Sequence, residues 1–241
     1  MSMTVLSLKP IAPPKTLKEM AYASIKEAIL SGGMQPDQIY SEPFLSELLN
    51  ISRTPVREAL QDLAIEGYVR ALPKRGYQVS SFQPEKIEHL YDYRMAIELA
   101  IIRQITGKLD QHQLREIERI LRFDRLVEQE EEITSFVRTD RDFHRYLASL
   151  TNNPYFIDAV DRLLELIEWA ATQAQNHTRR PAQATREHLD ILQALKERDP
   201  AKACAAMEAH LLISKRLVLQ DLAAEKARET TAGSTQPAMP G

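Results

Sequence analysis

Four side chains in the C-terminal half of the sequence have the types and spacing of a divalent-metal site. Asp140 and His144 stand four residues apart, so both project from one face of a helix. His188 and His210 each share a helical face with apolar residues, so we expect all four side chains to point into a bundle interior. Imidazole and carboxylate together suit Zn²⁺, Ni²⁺ or Mn²⁺. The residues alone leave two interpretations open, a site for a divalent metal ion or a set of hydrogen-bonded core histidines.

A second group of polar side chains suits contact with DNA. Arg53, Thr54 and Arg57 lie at the start of a predicted helix, where arginine can donate to guanine O6 and N7 while a hydroxyl reaches phosphate. Lys74 and Arg75 lie at the tip of a predicted hairpin, over the DNA backbone or the minor groove. The alternative is a packed helix pair with solvated arginines. The hairpin at a suitable distance favours DNA binding.

The N-terminal elements that position these residues form a predicted winged helix-turn-helix. A first helix is expected over 17–31, with Met20 in its buried stripe, and a third over 53–66. Between them, Ser41 is expected to be the N-cap of a second helix that carries Phe44 and Leu48. Asparagine tolerates the left-handed conformation of a sharp turn, so the second and third helices are expected to meet at 50–52, where Ser52 can cap the third. Strands are expected at 68–72 and 77–80.

The C-terminal elements are predicted to be helices only. Apolar residues recur at three- and four-residue spacing, and breaks fall at glycine, asparagine and proline. The fold class is therefore mainly α, with an N-terminal winged helix-turn-helix and a C-terminal antiparallel helical bundle. The expected helices span 84–106, 110–129, 132–151, 154–177, 181–198 and 200–227. The expected domains are a flexible arm at 1–16, a DNA-binding domain at 17–82, a helical domain at 84–227 and a disordered tail at 228–241.

Composition narrows the class of protein. The chain has 241 residues, of which 44% are hydrophobic and 27% charged, values typical of globular domains. One cysteine, Cys204, excludes an internal disulfide, and we find neither a membrane-length apolar run nor a signal peptide, which predicts a cytoplasmic protein without a membrane partner. Residues up to Phe82 include 9 basic and 8 acidic side chains, which gives a net charge of +1. The rest of the chain includes 22 basic and 26 acidic side chains, which gives a net charge of −4. DNA contact must therefore depend on a few placed cations.

The segment from Ile51 to Leu60, with the later Glu66-Gly67 and Arg75-Gly76 pairs, resembles the DNA-binding module of the GntR family of bacterial regulators. The resemblance covers residues 17 to 82. It implies that Arg53 and Arg57 read bases or phosphates, that Ser52 and Thr54 hold the DNA backbone, and that Gly76 lies near the minor groove.

The pattern from Asp140 to His144, with Glu187-His188 and His210-Leu211, resembles the FCD effector domain of the FadR subfamily. The resemblance implies that Asp140, His144, His188 and His210 carry a divalent metal, which holds an organic acid or sugar acid at its open coordination sites. Arg94 matches an arginine that faces the cavity in several members and could pair with an effector carboxylate. The alternative for Arg94 is a surface arginine bridged to Glu98.

The expected protein is a homodimeric transcriptional regulator and not an enzyme. Its operator affinity would depend on a small carboxylate effector that changes the angle between two DNA-binding heads. Two other hypotheses stay open. The chain could be a metalloenzyme, because histidines with a carboxylate also occur in oxygenases and hydrolases, or an architectural DNA binder that uses its helices only to dimerise.

Overall fold

A computed structural model describes residues 15–123, 132–174 and 181–233. The chain divides into two compact units, Met1–Ser81 and Phe82–Gly241. In the described ranges the elements follow the order α1 (Leu17–Leu30), β1 (Ile39–Tyr40), α2 (Glu42–Leu49), α3 (Arg53–Ile65), β2 (Val69–Leu72), β3 (Gly76–Val79), α4 (Pro84–Ile105), α5 (Gln111–Phe123), α6 (Glu132–Ser149), α7 (Pro154–Gln173), α8 (Pro181–Lys196) and α9 (Pro200–Gly233). The expectation of a mainly α chain with a winged helix-turn-helix is confirmed.

The turn between α2 and α3 has the geometry that the sequence predicts. The Ser41 hydroxyl accepts a hydrogen bond from the Phe44 amide and begins α2. Asn50 ends α2 in the left-handed region, at φ 52° and ψ 44°. Ser52 occupies the N-cap position of α3, but its hydroxyl makes no capping hydrogen bond, so the expected side-chain cap is wrong. That hydroxyl lies exposed beside the first turn of α3.

The wing is a three-stranded antiparallel sheet with β3 between β1 and β2. The expected hairpin of β2 and β3 is confirmed, and its turn leaves Lys74 and Arg75 exposed. Strand β1 was not expected, because two residues are too few to show an alternating pattern. Gly76 has φ 119°, and a Cβ at this position would lie 2.4 Å from the Tyr40 carbonyl oxygen of β1.

The core of the first unit is smaller than the sequence predicts. Val56 and Leu60 of α3 are fully buried, as expected. Met20 is 54% exposed, so its expected burial is wrong. The physical reason is that a helix buries one stripe only, and in α1 the buried residues are Ala21, Ile25 and Ile29.

The second unit consists of helices throughout its described residues. The proline that begins α4 and the left-handed residues Gly107, Asn152 and Arg198 lie at the predicted breaks. Helix α9 continues to Gly233, beyond the expected end at 227, because its last turns are rich in helix-forming Ala, Glu, Lys and Arg. The expected helix ends at 129 and 177 lie outside the described residues, as do 1–14 of the arm and 234–241 of the tail.

The packing of the second unit brings four helices around one point. Helix α4 packs against α6, α7 and α9, and α8 packs against α9, α5 and α6. Buried Ile, Leu, Phe and Met side chains from α4, α6, α8 and α9 form one continuous core. Across the described ranges, the chain forms no helix with the length and apolar character needed to cross a bilayer.

Candidate metal centre and nucleic-acid interface

The structure brings the four predicted ligand residues together. Helix α6 carries Asp140 and His144, α8 carries His188, and α9 carries His210. The exposed fractions of the three histidines are 1%, 0% and 3%, and the Asp140 side chain is 24% exposed. The expectation that all four face the interior of the helical unit is confirmed, because one ligand atom from each lies within 4.8 Å of the others.

The spacing of these ligand atoms fits a metal ion. The Nε2 atom of His210 lies 3.2 Å from Nε2 of His144 and 3.3 Å from Nε2 of His188. Oδ1 of Asp140 lies 3.3 Å from Nε2 of His188 and 3.7 Å from Nε2 of His144. Four ligands at about 2.0–2.1 Å from one ion in a tetrahedral arrangement lie roughly 3.3 Å from each other. These four distances are therefore close to the ligand spacing around a single small cation, and the remaining two pairs of ligand atoms lie within 4.8 Å.

Two carboxylates hold the outer nitrogens of two of these histidines. Nδ1 of His144 contacts Oε2 of Glu98, and Nδ1 of His210 lies 2.9 Å from Oε2 of Glu187. An ionised carboxylate only accepts hydrogen bonds, so each Nδ1 donates, and in the neutral imidazoles each Nε2 then presents a lone pair. These two Nε2 atoms lie 3.2 Å apart. A cation between them would bind both lone pairs, so these residues fit a metal ion.

The electrostatics of the centre favour the protonation states that bind a metal. Burial lowers the pKa of His188 and of His210, because desolvation penalises the imidazolium form. Burial alone would raise the pKa of Asp140, but its hydrogen bond with His188 and the neighbouring histidines hold that pKa well below its usual range. Neutral imidazoles and an ionised carboxylate are the forms that coordinate a divalent ion.

Arg94 lies inside the second unit, next to the four ligands. It is 1% exposed, and its Nε donates to Oε1 of Glu98 at 2.5 Å. The alternative of a surface arginine is wrong, although the expected bridge to Glu98 is present. Its Nη2 is buried and has no hydrogen-bond partner in the described chain. An unpaired guanidinium nitrogen is costly to bury, so this atom is suited to receive an anion.

Sequence reasoning missed Glu98 and Glu187 as partners of the histidines. Burial alone would raise the pKa of Glu98, but His144 and Arg94 outweigh it and lower the pKa to about 2. Burial raises the pKa of Glu187. The signal for Glu98 was present in the sequence, because it lies on the apolar stripe of α4. The buried positions of that stripe recur every three or four residues at Ile87, Tyr91, Arg94, Glu98, Ile101 and Ile105.

The predicted DNA-contacting residues all lie in the first unit. Ser52, Arg53 and Thr54 are exposed at the start of α3. Arg57 is exposed as well, but it is paired with Glu42 of α2, whose Oε2 lies 2.9 Å from both its Nε and its Nη2. The pKa of Arg57 is raised, chiefly by the hydrogen bond to this carboxylate. Glu42 was not among the residues expected at this surface.

The hairpin tip presents a second group of cations on the same unit. Lys74 and Arg75 are exposed in the turn between β2 and β3, and Lys74 has a φ of 63°. Gly76 follows them, and its conformation brings β3 against the Tyr40 carbonyl of β1. The glycine thus has a structural reason for its place, independent of any contact with DNA.

Comparison with known proteins relates both units to one class of regulators. Residues 17–79 match the family model described as bacterial regulatory proteins, gntR family, and residues 89–212 match the FCD domain. The transcriptional repressor RspR of Escherichia coli K12 is 27% identical over 199 residues, which cover 83% of this chain and 87% of RspR. The transcriptional repressor NanR of Klebsiella aerogenes is 26% identical over 229 residues, which cover 86% of each chain.

Solved structures share the fold. The structure of Escherichia coli McbR/YncC has a TM-score of 0.69 at 18% identity and covers 87% of this chain and all of its own. A transcriptional regulator from Rhodococcus sp. RHA1 also reaches a TM-score of 0.69, at 23% identity, and covers 84% of this chain and 97% of its own. The relatives and the folds are those of transcriptional regulators and not of enzymes, so the metalloenzyme hypothesis loses its support.

Proposed function

Because this chain belongs to the gntR family of bacterial regulatory proteins and is a transcriptional regulator with an FCD domain, we propose that a small organic acid or sugar acid, bound at a divalent metal ion in the helical unit, controls its affinity for operator DNA. The observation that carries this proposal is the meeting of three buried imidazoles and one carboxylate within 4.8 Å. The donor set suits Zn²⁺, Ni²⁺ or Mn²⁺.

Arg94 and a divalent ion held by the four ligand residues would bind the acid together. The ion would supply a Lewis acid for an anionic oxygen of the effector. The buried Nη2 of Arg94 supplies a charged donor beside it, in surroundings where water does not compete. A carboxylate of the effector can bind the metal ion through one oxygen and accept a hydrogen bond from Arg94. That hydrogen bond is directional and selects a planar anion.

The first unit binds the operator. Arg53 and Arg57 on α3 read base edges or phosphates in the major groove, Ser52 and Thr54 hold the backbone, and the wing places cations over the adjacent groove. We expect two copies of the chain to bind two half-sites as a homodimer. The wing residues in this assignment are Lys74, Arg75 and Gly76.

The effector controls DNA binding only if it prefers one arrangement of the DNA-binding heads. A ligand shifts an equilibrium by its difference in affinity between two states, so effector and operator must change each other's affinity by the same factor. The proposal therefore requires an effector that binds the free protein and the operator-bound protein differently.

A thermal-shift screen of small carboxylic and sugar acids, with and without divalent metal, tests the proposal. We expect at least one acid to raise the melting temperature of the metal-loaded protein and to leave the chelated protein unchanged. The His144→Ala variant should lose the metal-dependent shift, and His112→Ala, which removes an exposed histidine of α5, should keep it.

Two outcomes of this screen contradict the proposal. An acid that stabilises the chelated protein as well as the loaded one would show a site that needs no metal. The protein could also be purified without metal and keep the same melting temperature on chelation or on addition of metal. This result would favour the hypothesis of an architectural DNA binder.

A further inference from the structure

Glu98 is neither one of the four proposed metal ligands nor the proposed effector-binding residue, but it contacts one of each. We propose that Glu98 is a positioning residue that sets the tautomer of His144, because Arg94 occupies one of its two carboxylate oxygens and leaves the other to His144. The inference rests on the proposed function, since the tautomer matters through the metal that His144 would bind. It concerns the metal-free protein, however, and can be tested there.

The three side chains form a buried chain of hydrogen bonds. Arg94 and Glu98 stand four residues apart on α4 and are 1% and 3% exposed. Oε1 of Glu98 accepts from Nε of Arg94 at 2.5 Å, and Oε2 faces Nδ1 of His144 on α6. Each oxygen of the carboxylate therefore has its own partner, and water has little access to either.

The donors and acceptors leave one arrangement for His144. Arginine carries donors only, so the atom that faces it must be an acceptor. An ionised carboxylate also offers only an acceptor to His144, which must place a hydrogen on Nδ1. In the neutral imidazole, the lone pair is then on Nε2, the atom that lies 3.2 Å from Nε2 of His210 and 3.7 Å from Oδ1 of Asp140. This is the tautomer that binds a metal.

Glu98→Gln should reverse the tautomer while it preserves the shape of the side chain. Glutamine has one oxygen and one NH₂ group. Arg94 claims the oxygen, so the NH₂ group faces His144 and donates to Nδ1, which moves the imidazole hydrogen to Nε2. We expect this variant to bind Zn²⁺ about 10–100-fold more weakly, the range found when outer hydrogen-bond partners of metal ligands are lost.

Glu116→Gln is the matched control. Glu116 lies on α5, where its Oε1 pairs with Nη2 of Arg119 at 2.7 Å. The substitution makes the same chemical change as Glu98→Gln at a carboxylate outside the metal centre. We expect the tautomer of His144 and the Zn²⁺ affinity to stay at their wild-type values.

A double variant tests the mechanism by rescue. The terminal atoms of a glutamine at position 94 lie at the same point along the side chain as Nε of arginine. In Arg94→Gln/Glu98→Gln, the amide oxygen introduced at position 94 can accept from the NH₂ group introduced at position 98, and the amide oxygen at position 98 is then free to face His144. We expect the Nδ1–H tautomer to return and Zn²⁺ affinity to recover most of its loss, an outcome that a merely structural role for Glu98 does not produce.

The measurement is ¹⁵N–¹H correlation NMR of the imidazoles in the metal-free full-length protein, followed by Zn²⁺ competition with a chromogenic chelator. Wild-type His144 should show a hydrogen on Nδ1, a reading that needs no variant to fold. An Nε2–H tautomer in the wild type, or an unchanged tautomer in Glu98→Gln, overturns the inference. The wild type could show the Nδ1–H tautomer and yet bind none of Zn²⁺, Ni²⁺ and Mn²⁺. That result would contradict the proposed function, whereas the tautomer assignment would stand.

Discussion

At the scale of single residues, the three ligand histidines differ in what holds their outer nitrogens. Glu98 contacts His144 and Glu187 contacts His210, whereas Nδ1 of His188 is buried with no hydrogen-bond partner in the described chain. A buried polar atom without a partner costs about 1–3 kcal/mol. On the opposite side of the same ring, Nε2 of His188 lies 3.3 Å from Oδ1 of Asp140. His188 is thus oriented through Nε2, whereas carboxylates orient the other two histidines through Nδ1.

Arg53→Ala tests the division of labour between the two units. Arg53 is exposed at the start of α3, where a bidentate contact with guanine is worth about 1–3 kcal/mol of discrimination against other bases. We expect the ratio of operator to non-operator affinity to fall by about tenfold or more, with metal affinity unchanged. Fluorescence anisotropy with operator and scrambled DNA at fixed salt measures this ratio.

Arg119→Ala provides the control for Arg53→Ala. It removes the same charge from an exposed site on α5 of the other unit, where Arg119 pairs with Glu116. We expect this variant to keep the wild-type ratio. Sequence discrimination that survives Arg53→Ala would refute the base-reading role of Arg53.

At the scale of elements, the sequence predicts where the helices break better than what they bury. Glycine, asparagine and proline mark the ends of α2, α4 and α7–α9 because their backbone preferences act locally. Burial depends on neighbours that a periodic pattern does not identify, which is why Met20 was misplaced. The four ligand residues were predicted as a set. Glu98 was considered only as a surface partner of Arg94, because the pattern of α4 alone does not identify His144 as its neighbour.

Gly76→Ala tests the wing as an element. A Cβ at this position would lie 2.4 Å from the Tyr40 oxygen, and the φ of 119° is one that alanine rarely adopts. We expect β3 to separate from β1, with a loss of stability above the roughly 1–3 kcal/mol of backbone strain alone. Hydrogen exchange of the β1 and β3 amides measures the loss, and operator affinity should fall with it.

Gly67→Ala separates strain from collision. Gly67 has a φ of 83°, but nothing lies within 4 Å of its added Cβ. This variant should lose stability through backbone strain and retain the pairing of β1 with β3. Equal effects of the two substitutions would show that the approach of Gly76 to Tyr40 has no special importance for the wing.

At the scale of the whole molecule, charge and burial assign different tasks to the two units. The N-terminal part has a net charge of only +1, so a few exposed cations on α3 and the wing must supply specific contact with DNA. The C-terminal part has a net charge of −4 and places its chemistry inside, where Arg94 and the ligand histidines are almost fully buried. On the proposed function, the surface of the first unit would read DNA and the interior of the second unit would bind a small anion.

The central claim is that Asp140, His144, His188 and His210 hold one divalent ion. X-ray absorption spectroscopy of the metal-loaded protein, after dialysis against metal-free buffer, tests it most directly. The account predicts one ion per chain, with scattering from three imidazoles in its coordination shell and loss of one imidazole in His188→Ala. Protein that retains no ion, or an ion surrounded by oxygen ligands without imidazole, would contradict it.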